Sequence, residues 1–511
     1  MFRPEMYIMI SICVYLIVML IVGFVCSKKN NTTDDFYLGG RKLGPVVTAM
    51  SAEASDMSSW LLMGLPGVAY LSGVCDAGWT ALGLAIGTYI NWLVVAKKIR
   101  RYSHVANNSI TIPDFFSNRY RDSSNIIMII SASVIIVFFV PYTASGFAAC
   151  GKIFSSLFGI NYLTAMIISA VVIVGYTALG GFLAASTTDL IQSIIMTIAL
   201  AIVLVFGVQT AGGMSAVMEN ARNLPGYLSM NSMHSVASGT AVEYGLVSKI
   251  STIAWGLGYF GMPHILLRFM AIEDDKKLSI SRRIATIWVL ISLTAAIFIG
   301  VVGLAMTNVG AIETLSGSAS ETIVVKISSL LSSYGAIPAI IAGVILAGIL
   351  ASTMSTADSQ LIAASSAVSK NLFGVFHKEN DSKLSMKTAR FTLVAIAVVA
   401  AFIARNPDSS VFEIVSFAWA GFGAAFGPLV LFSLFWRRAN RYGAIAGMVS
   451  GGVMVFVWKY LVKPIGGIWG IYELLPAFVI SSIVIIVVSL LTEAPSKEIT
   501  DEFDMVKNMK N

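Results

Sequence analysis

The stretch SAEASDMSSWLLMGLPG, residues 51–67, lies in an apolar segment of membrane-spanning length that polar residues interrupt near its middle. A helix in lipid must satisfy every backbone group within the protein, so such a polar cluster is tolerated only against other helices or a water-filled cavity. Asp56 is the strongest signal, because a carboxylate at the centre of a membrane helix costs about 2.5 to 3.5 kcal/mol on insertion scales. The surrounding small and hydroxylated residues predict a helix that unwinds and offers oxygen atoms to a cation. The alternative is a neutral Asp56 hydrogen-bonded to a neighbouring helix.

The composition is that of a polytopic membrane protein. Of the 511 residues, 57% are hydrophobic and 12% are charged, and the mean hydropathy is +0.81. The net charge of +7 does not indicate nucleic-acid binding, because the basic residues form short clusters between apolar segments, as cytoplasmic membrane loops do. The four cysteines form no CxxC pair, so they predict neither a disulfide framework nor a metal site.

Apolar runs of about 20 residues predict an all-α chain with about thirteen membrane helices. The predicted helices cover residues 6–26, 45–71, 77–96, 126–150, 163–183, 189–209, 246–270, 284–306, 337–368, 391–404, 411–436, 442–462 and 474–491.

Loop charge predicts the orientation of these helices. If the amino terminus lies outside, basic clusters such as Lys97, Lys98, Arg100 and Arg101 all fall on the cytoplasmic side, and so does the carboxyl terminus. Arg268 is counted here with the cytoplasmic loop charges that follow the seventh helix. The sequence therefore predicts a multi-pass protein of the cell membrane. The loops 210–245 and 307–336 then face outward and are candidate gate elements. No loop is long enough to hold a separate soluble domain.

A second interrupted helix indicates an internal repeat. The sequence GLGYFGMP, residues 256–263, places three glycines and a proline in the seventh helix, which weakens it mid-membrane. Two sets of five helices, residues 45–209 and 246–436, then have opposite orientation, and each opens with an interrupted helix. This pattern predicts a transporter site near the midplane, with residues 1–44 and 437–511 as peripheral helices and a cytoplasmic tail. The alternative is that Gly and Pro are simply frequent in membrane helices.

The ninth helix carries hydroxyl groups on one face. In LASTMSTADSQ, residues 350–360, the spacing of Ser352, Ser355, Thr356 and Ser359 places their oxygens together. Such hydroxyls often bond back to the helix or hold helices together. Beside an unwound acidic helix we favour a cation site, and the supply of oxygen without clustered His or Cys argues for sodium and against zinc or copper.

Six motifs carry a resemblance to a known family. They are GGRKLGP (39–45), SDMSSWLLMGLPG (55–67), YTASG (142–146), GGFLAASTTDLIQ (180–192), GMPHILLRFMA (261–271) and MSTADSQ (354–360). With them the chain resembles, over nearly its whole length, the sodium/solute symporter family, and within it the bacterial branch that imports proline. The resemblance implies a LeuT-like core of two inverted five-helix repeats and coupled uptake of sodium and L-proline.

The resemblance also implies a sodium site. Its ligands would be the carbonyl groups of Ala54, Met57 and Ser352 together with the hydroxyl groups of Ser355 and Thr356. Asp56 would add negative potential in or near this site. Asp189, at the start of the sixth predicted helix, would lie on the sodium exit path; its alternative role is a helix cap.

Proline would contact Ser58, Tyr142, Trp255, Tyr259 and the broken backbone near Pro263. Three aromatic side chains can enclose a small apolar ring, and amides exposed at a helix break favour its carboxylate. The resemblance implicates Arg41 in coupling, although Arg41 is also one more positive charge of an inner loop.

Two residues depart from the family pattern. Ser352 stands where alanine is expected, which matters little if only its carbonyl binds the ion. Glu53 stands where glycine is expected, one helical turn before Asp56. If it faces the cavity, it could alter the ion stoichiometry; it could instead face a neighbouring helix.

The sequence favours secondary transport over other functions. It contains no GxxxxGK[ST] loop for ATP, so a sodium gradient would drive transport, without a cofactor, a nucleic acid or an obligate protein partner. A nearer alternative is a sodium symporter for another small solute, such as another amino acid, a carboxylate or a sugar. A membrane enzyme or sensor is the distant alternative, but the dispersed histidines support no hydrolytic triad.

Overall fold

Helices make up nearly all the regular structure. The computed structural model describes residues 3–28, 32–376, 382–406 and 410–509. The first part of the chain forms α1 (Pro4–Ser27), α2 (Thr33–Leu38), α3 (Pro45–Ser59), α4 (Leu65–Ser72), α5 (Val74–Ile90), α6 (Ala96–Val105), α7 (Ile112–Arg119), α8 (Ile126–Phe158), α9 (Tyr162–Thr210) and α10 (Met214–Arg222). A short antiparallel hairpin, β1 (Ser232–Ser235) and β2 (Thr240–Glu243), follows.

The rest of the chain is helical again. It forms α11 (Leu246–Ile253), α12 (Pro263–Ala271), α13 (Leu278–Asn308), α14 (Ile323–Ser332), α15 (Ala336–Ser366), α16 (Phe373–Phe376), α17 (Ser382–Ile403), α18 (Val411–Phe435), α19 (Arg441–Val457), α20 (Leu474–Leu491) and α21 (Lys497–Asn508).

Not every predicted membrane helix qualifies as a span by length and composition. Among the described residues, 9 helices are long and apolar enough to cross a membrane, and the bent pair of α11 and α12 raises the number to 10. The predicted helices 45–71, 163–183 and 391–404 are helical in the structure but are not among these spans. The predicted count of about thirteen is therefore not confirmed.

The first predicted break is present. Ser58 leaves the helical conformation (φ 46°, ψ −170°), and a π-helical turn over Trp60–Gly64 links α3 to α4. The Ser58 hydroxyl accepts a hydrogen bond from the Trp60 N–H at 3.1 Å. The Ser58 side chain thus replaces part of the backbone hydrogen bonding that the helix loses at the break. This explains why serine is tolerated there.

The second predicted break is also present. The chain passes from α11 into a 3-10 helix, Ala254–Gly261, and Met262 is extended (φ −76°, ψ 111°). Pro263 then opens α12 at its first position, where the missing N–H costs nothing. The two parts are bent by 47°.

The sixth helix begins earlier than predicted. The structure continues α9 through the predicted gap, with one non-helical residue at Gly181 (φ 60°, ψ −161°). The predicted start at Asp189 is therefore wrong by about two turns. The polar run before Asp189 resembles a loop in sequence, but Thr187 and Thr188 donate to the carbonyls of Leu183 and Ala184 within the helix.

The two loops predicted to face outward contain structure of their own. The first holds α10 and the hairpin, which is the exception to an all-α fold. In it, the Tyr227 hydroxyl donates to the Ala69 carbonyl at 2.7 Å, and the Tyr227 carbonyl accepts from the Val74 N–H at 2.8 Å. This loop is therefore tied to the junction of α4 and α5. The second loop contains α14.

Glycines let the backbone of α5 pack directly against the backbone of α11 and of the 3-10 segment that follows it. A Cβ atom on Gly87 would lie 2.4 Å from the Gly256 carbonyl, and one on Gly83 would lie 2.4 Å from the Ile253 carbonyl. Any side chain at these positions would push the second broken helix away from α5.

We expect Gly87→Ala to destabilise the protein by about 1–3 kcal/mol, since the added methyl group overpacks a backbone contact. Thermal unfolding in detergent measures this effect. Gly175→Ala in α9 is the matched control, because its added Cβ meets no atom within 4 Å. Equal stability of the two variants would contradict this close packing.

Candidate cation and substrate site

Oxygen atoms of α3 and α15 meet beside the first break. The Ser355 hydroxyl lies 2.8 Å from the Ala54 carbonyl and 3.1 Å from the Ser352 carbonyl, and the Thr356 hydroxyl donates to the Ser352 carbonyl at 3.1 Å. All four residues are buried. The structure thus brings together four of the predicted sodium ligands. We call them the oxygen cluster.

The Met57 carbonyl lies in the turn beside this cluster. It accepts a hydrogen bond from the Trp60 N–H, as the Ser58 carbonyl does. Its position therefore depends on the local geometry of the break rather than on a contact with α15.

Asp56 connects the two broken helices. Its carboxylate accepts a hydrogen bond from the Tyr259 hydroxyl at 2.6 Å, and its carbonyl lies 3.4 Å from the Tyr142 hydroxyl. The Asp56 side chain is therefore placed among the predicted proline contacts, next to the oxygen cluster in sequence but not hydrogen-bonded to its hydroxyls.

An aromatic layer covers this region on the side where α11 begins. The Trp255 ring centroid lies 5.6 Å from that of Trp60, 5.5 Å from that of Phe412 and 5.1 Å from that of Tyr472. The Trp419 indole N–H donates to the Trp255 carbonyl at 2.7 Å, which fixes the backbone of the 3-10 segment. Trp60, Trp255, Phe412 and Tyr472 are called the aromatic layer below.

A cavity of about 580 Å³ lies against the aromatic layer. Trp255, Phe412 and Tyr472 line it, together with charged side chains that include Asp76 and Lys463. Ser58, Tyr142, Tyr259 and Pro263 are buried and do not line this cavity. Of the five predicted proline contacts, only Trp255 therefore faces the cavity, and it does so as part of the aromatic layer.

A second cluster, made of buried polar and charged side chains, lies on the side of the breaks opposite the aromatic layer. Arg268 of α12 lies 3.2 Å from the Asp189 carboxylate, which also accepts from the Ser51 hydroxyl at 2.6 Å. Arg268 further donates to the hydroxyls of Ser51 (3.0 Å) and Ser359 (2.5 Å). We call Ser51, Asp189, Arg268 and Ser359 the arginine network. Asp189 lies inside α9, fully buried, so it is not a helix cap.

Sequence reasoning missed two residues of this region. Arg268 was grouped with the loop charges, although a charge five positions after Pro263 in an apolar helix is itself a signal. Asp358 lies in the MSTADSQ motif; it accepts hydrogen bonds from Ser359 (3.1 Å) and from Tyr176. Its partners could not be read from the motif.

Arg41 joins the segments that flank the broken helices. Its guanidinium donates to the carbonyls of Met270 and Ser109, each at 2.7 Å, and to the Asn108 side chain at 3.1 Å. Nearby, the Leu43 N–H donates to the Ala271 carbonyl at 3.1 Å. Burial, followed by the charge of Arg100, lowers the pKa of Arg41 to about 10, so Arg41 stays cationic at neutral pH.

Two broken helices with clustered oxygen atoms and buried charges beside the breaks are typical of one class of protein, the secondary active membrane transporters. Within that class, residues 36–451 match the model of the Sodium:solute symporter family, and the chain belongs to this family.

Its relatives include named transporters. The chain is 41% identical over 499 residues to a sodium/proline symporter of Escherichia coli (strain K12), with 97% of this chain and 95% of that protein covered. It is 40% identical over 492 residues to the osmoregulated proline transporter OpuE of Bacillus subtilis (strain 168), with 96% of each covered.

The fold has a solved counterpart. A substrate-bound, outward-open sodium-coupled sialic acid symporter superposes with a TM-score of 0.78 at 17% identity, covering 96% of this chain and 99% of that one. The predicted helical, LeuT-like transporter fold is thereby confirmed.

Proposed function

We propose that this protein is a sodium-coupled symporter that imports L-proline by alternating access. The observation that carries the proposal is the oxygen cluster, which joins α15 to the first broken helix two residues before Asp56. The names of the relatives support the choice of sodium and proline.

Sodium would bind at the oxygen cluster. The Ser355 hydroxyl, which now faces the Ala54 carbonyl, would turn its oxygen to the ion, and the carbonyls of Ala54, Met57 and Ser352 with the Thr356 hydroxyl would complete the shell. Because these ligands come from α3 and α15, the ion would hold the two helices together.

Proline would then bind at the two breaks. Its ring would pack against Tyr142, Trp255 and Tyr259, and its carboxylate would lie near Ser58 and the N-terminal amides of α12 after Pro263. Asp56 adds a negative charge between the ion and this pocket.

The two sides of the site suggest how access alternates. The cavity outside the aromatic layer would be the external entrance, whereas the arginine network and the contacts of Arg41 would close the cytoplasmic side. Asp189 would then lie on the route by which sodium leaves. We further propose inverted core repeats over residues 45–209 and 246–436, an external amino terminus, and a cytoplasmic carboxyl terminus in the cell membrane.

One ion supplies enough free energy for concentrative uptake. One charge moving through 100 mV provides about 2.3 kcal/mol, and a roughly tenfold sodium gradient adds about 1.4 kcal/mol. Together they sustain an accumulation of about a few hundredfold.

The test is uptake of labelled L-proline into proteoliposomes with and without an inward sodium gradient, beside an Asp56→Asn variant. Uptake that requires sodium and weakens in the variant supports the proposal. Sodium-dependent uptake of a different solute, without proline uptake, would overturn the proline assignment and keep the transporter class.

Tyr259→Phe removes the hydroxyl that donates to Asp56. A hydrogen bond to a charged group is worth about 1.5–3 kcal/mol, so we expect the KM for proline to rise by about tenfold to a hundredfold. Concentration-dependent uptake measures it. Tyr334→Phe is the control, because that side chain is 65% exposed. An unchanged KM would remove Tyr259 from the proline site.

Arg41→Lys keeps the positive charge but loses the guanidinium geometry that reaches two carbonyls and an amide. We expect the uptake rate to fall by about tenfold while sodium still binds, since the contacts lie away from the oxygen cluster. Arg283→Lys, at an exposed position of α13, is the control. Equal rates for the two variants would argue against a role of Arg41 in coupling.

A further inference from the structure

Glu53 is a buried carboxylate with one unused oxygen. Its Oε1 atom accepts a hydrogen bond from the Trp92 indole at 2.9 Å, and the side chain is 1% exposed. Its Oε2 atom has no hydrogen-bond partner among the described residues. Because a buried, unpaired charged oxygen is costly, this atom calls for a further partner.

Two more oxygens without partners lie on the facing helix. The Asn91 amide nitrogen donates to the Tyr259 carbonyl at 3.1 Å, which leaves its Oδ1 atom with no partner in the described part of the chain. The Thr88 hydroxyl, one turn earlier, has only a long contact there, with the Tyr259 phenol, and both residues are 1% exposed. A π-helical turn begins at Asn91, a distortion that is frequent at functional sites.

A chain of contacts links the residues that carry these oxygens. Trp92 reaches Glu53, its neighbour Asn91 reaches Tyr259, and Tyr259 reaches Asp56, one turn from Glu53. Thr88 lies close to the Tyr259 phenol. The Trp92 indole N–H and one of the two Asn91 amide N–H groups are already used, and the oxygens that remain suit a hard cation.

Charge balance supports a cation here. Within the described residues, neither Glu53 nor Asp56 has a Lys or Arg at ion-pair distance, whereas five other buried carboxylates do: Asp114, Asp189, Glu321, Glu473 and Glu502. Asp122 and Asp358 also lack an ion pair in this part of the chain, but both oxygens of each accept hydrogen bonds, unlike those of Glu53. The oxygen cluster consists of neutral ligands, so one sodium ion there offsets one of the two carboxylate charges. When Glu53 is ionised as well, its charge has no counterpart among the described residues.

We propose that Glu53, Thr88 and Asn91 form a second sodium site, so that the transporter binds more than one sodium ion for each proline. The proposal rests on the proposed function, since it assigns a further ion to the same transport cycle. It also gives a role to the glutamate that replaces the expected glycine of the family.

The test is equilibrium binding of radioactive sodium to the purified full-length protein in detergent, without proline. We expect about two ions per wild-type protein and about one for Glu53→Gln and for Glu53→Gly. Glu53→Gly restores the residue expected in the family, so it guards against a folding defect of Glu53→Gln. Thr88→Val should weaken the second site, and Glu219→Gln, at an exposed carboxylate of α10, should bind as wild type does.

The outcomes separate the two proposals. About one ion in the wild type, or an unchanged number in Glu53→Gly, would overturn the second site while sodium-driven proline uptake stands. No sodium binding by the wild type together with no sodium-driven uptake would overturn the proposed function as well.

Discussion

Replacing both Ser355 and Thr356 by alanine is expected to abolish sodium-driven uptake in a protein that still folds. The change removes two hydroxyl oxygens from the oxygen cluster and leaves its carbonyls in place. Each contact of such a group with a charge is worth about 1.5–3 kcal/mol, so sodium affinity should fall by about a hundredfold to ten-thousandfold. The sodium concentration that gives half-maximal proline uptake measures this loss.

The same helix offers a matched control. Ser365 and Ser366 are also buried in α15, but their hydroxyls bond back to the carbonyls of Ile362 and Ala363. Their double alanine variant should keep its sodium dependence, and Thr356→Ser should retain most of the affinity. If both double variants respond to sodium alike, the oxygen cluster is not the ion site.

Arg268→Met is expected to have the largest effect on stability. Methionine has a similar length but no charge, so the substitution leaves the Asp189 carboxylate buried without its cation. Removing one partner of a buried pair costs about 3–5 kcal/mol. Thermal unfolding in detergent and the yield of monodisperse protein measure the loss.

The double variant Arg268→Met with Asp189→Asn tests whether the unpaired Asp189 charge causes the loss of stability. It removes both charges, so it should recover much of the stability that Arg268→Met alone loses. Lys326→Met, which breaks a partly exposed pair with Glu313, should change stability far less. If the double variant unfolds as early as Arg268→Met, packing rather than the charge pair accounts for the loss.

Much of the fold could be predicted from local sequence. The breaks near Ser58 and Met262 follow from polar, Gly and Pro residues inside apolar runs, and both are where the pattern places them. Asp189 shows the limit of such patterns. Its polar neighbours look like a loop, yet they lie in a helix because their hydroxyls bond within it and other helices bury them.

The candidate site likewise has a part that the sequence predicts and a part that it does not. The shared hydroxyl face of α15 was predictable because helical spacing alone fixes it. The pairing of Glu53 with Trp92 was not, because the sequence left open whether Glu53 faces a cavity or a helix. Arg268 was misassigned to the loop charges because its partners lie on three other helices.

The sequence by itself determined the membrane class, the two interrupted helices, the oxygen-rich face and the resemblance to the sodium/solute symporters, because each depends on residues close together in the chain. Only the tertiary structure decided which groups meet. Asp56 and Tyr259 are 203 residues apart, and Ser355 and Ala54 are 301 residues apart. Such contacts depend on how whole helices pack against one another, and the spacing of residues within a single helix does not encode that packing.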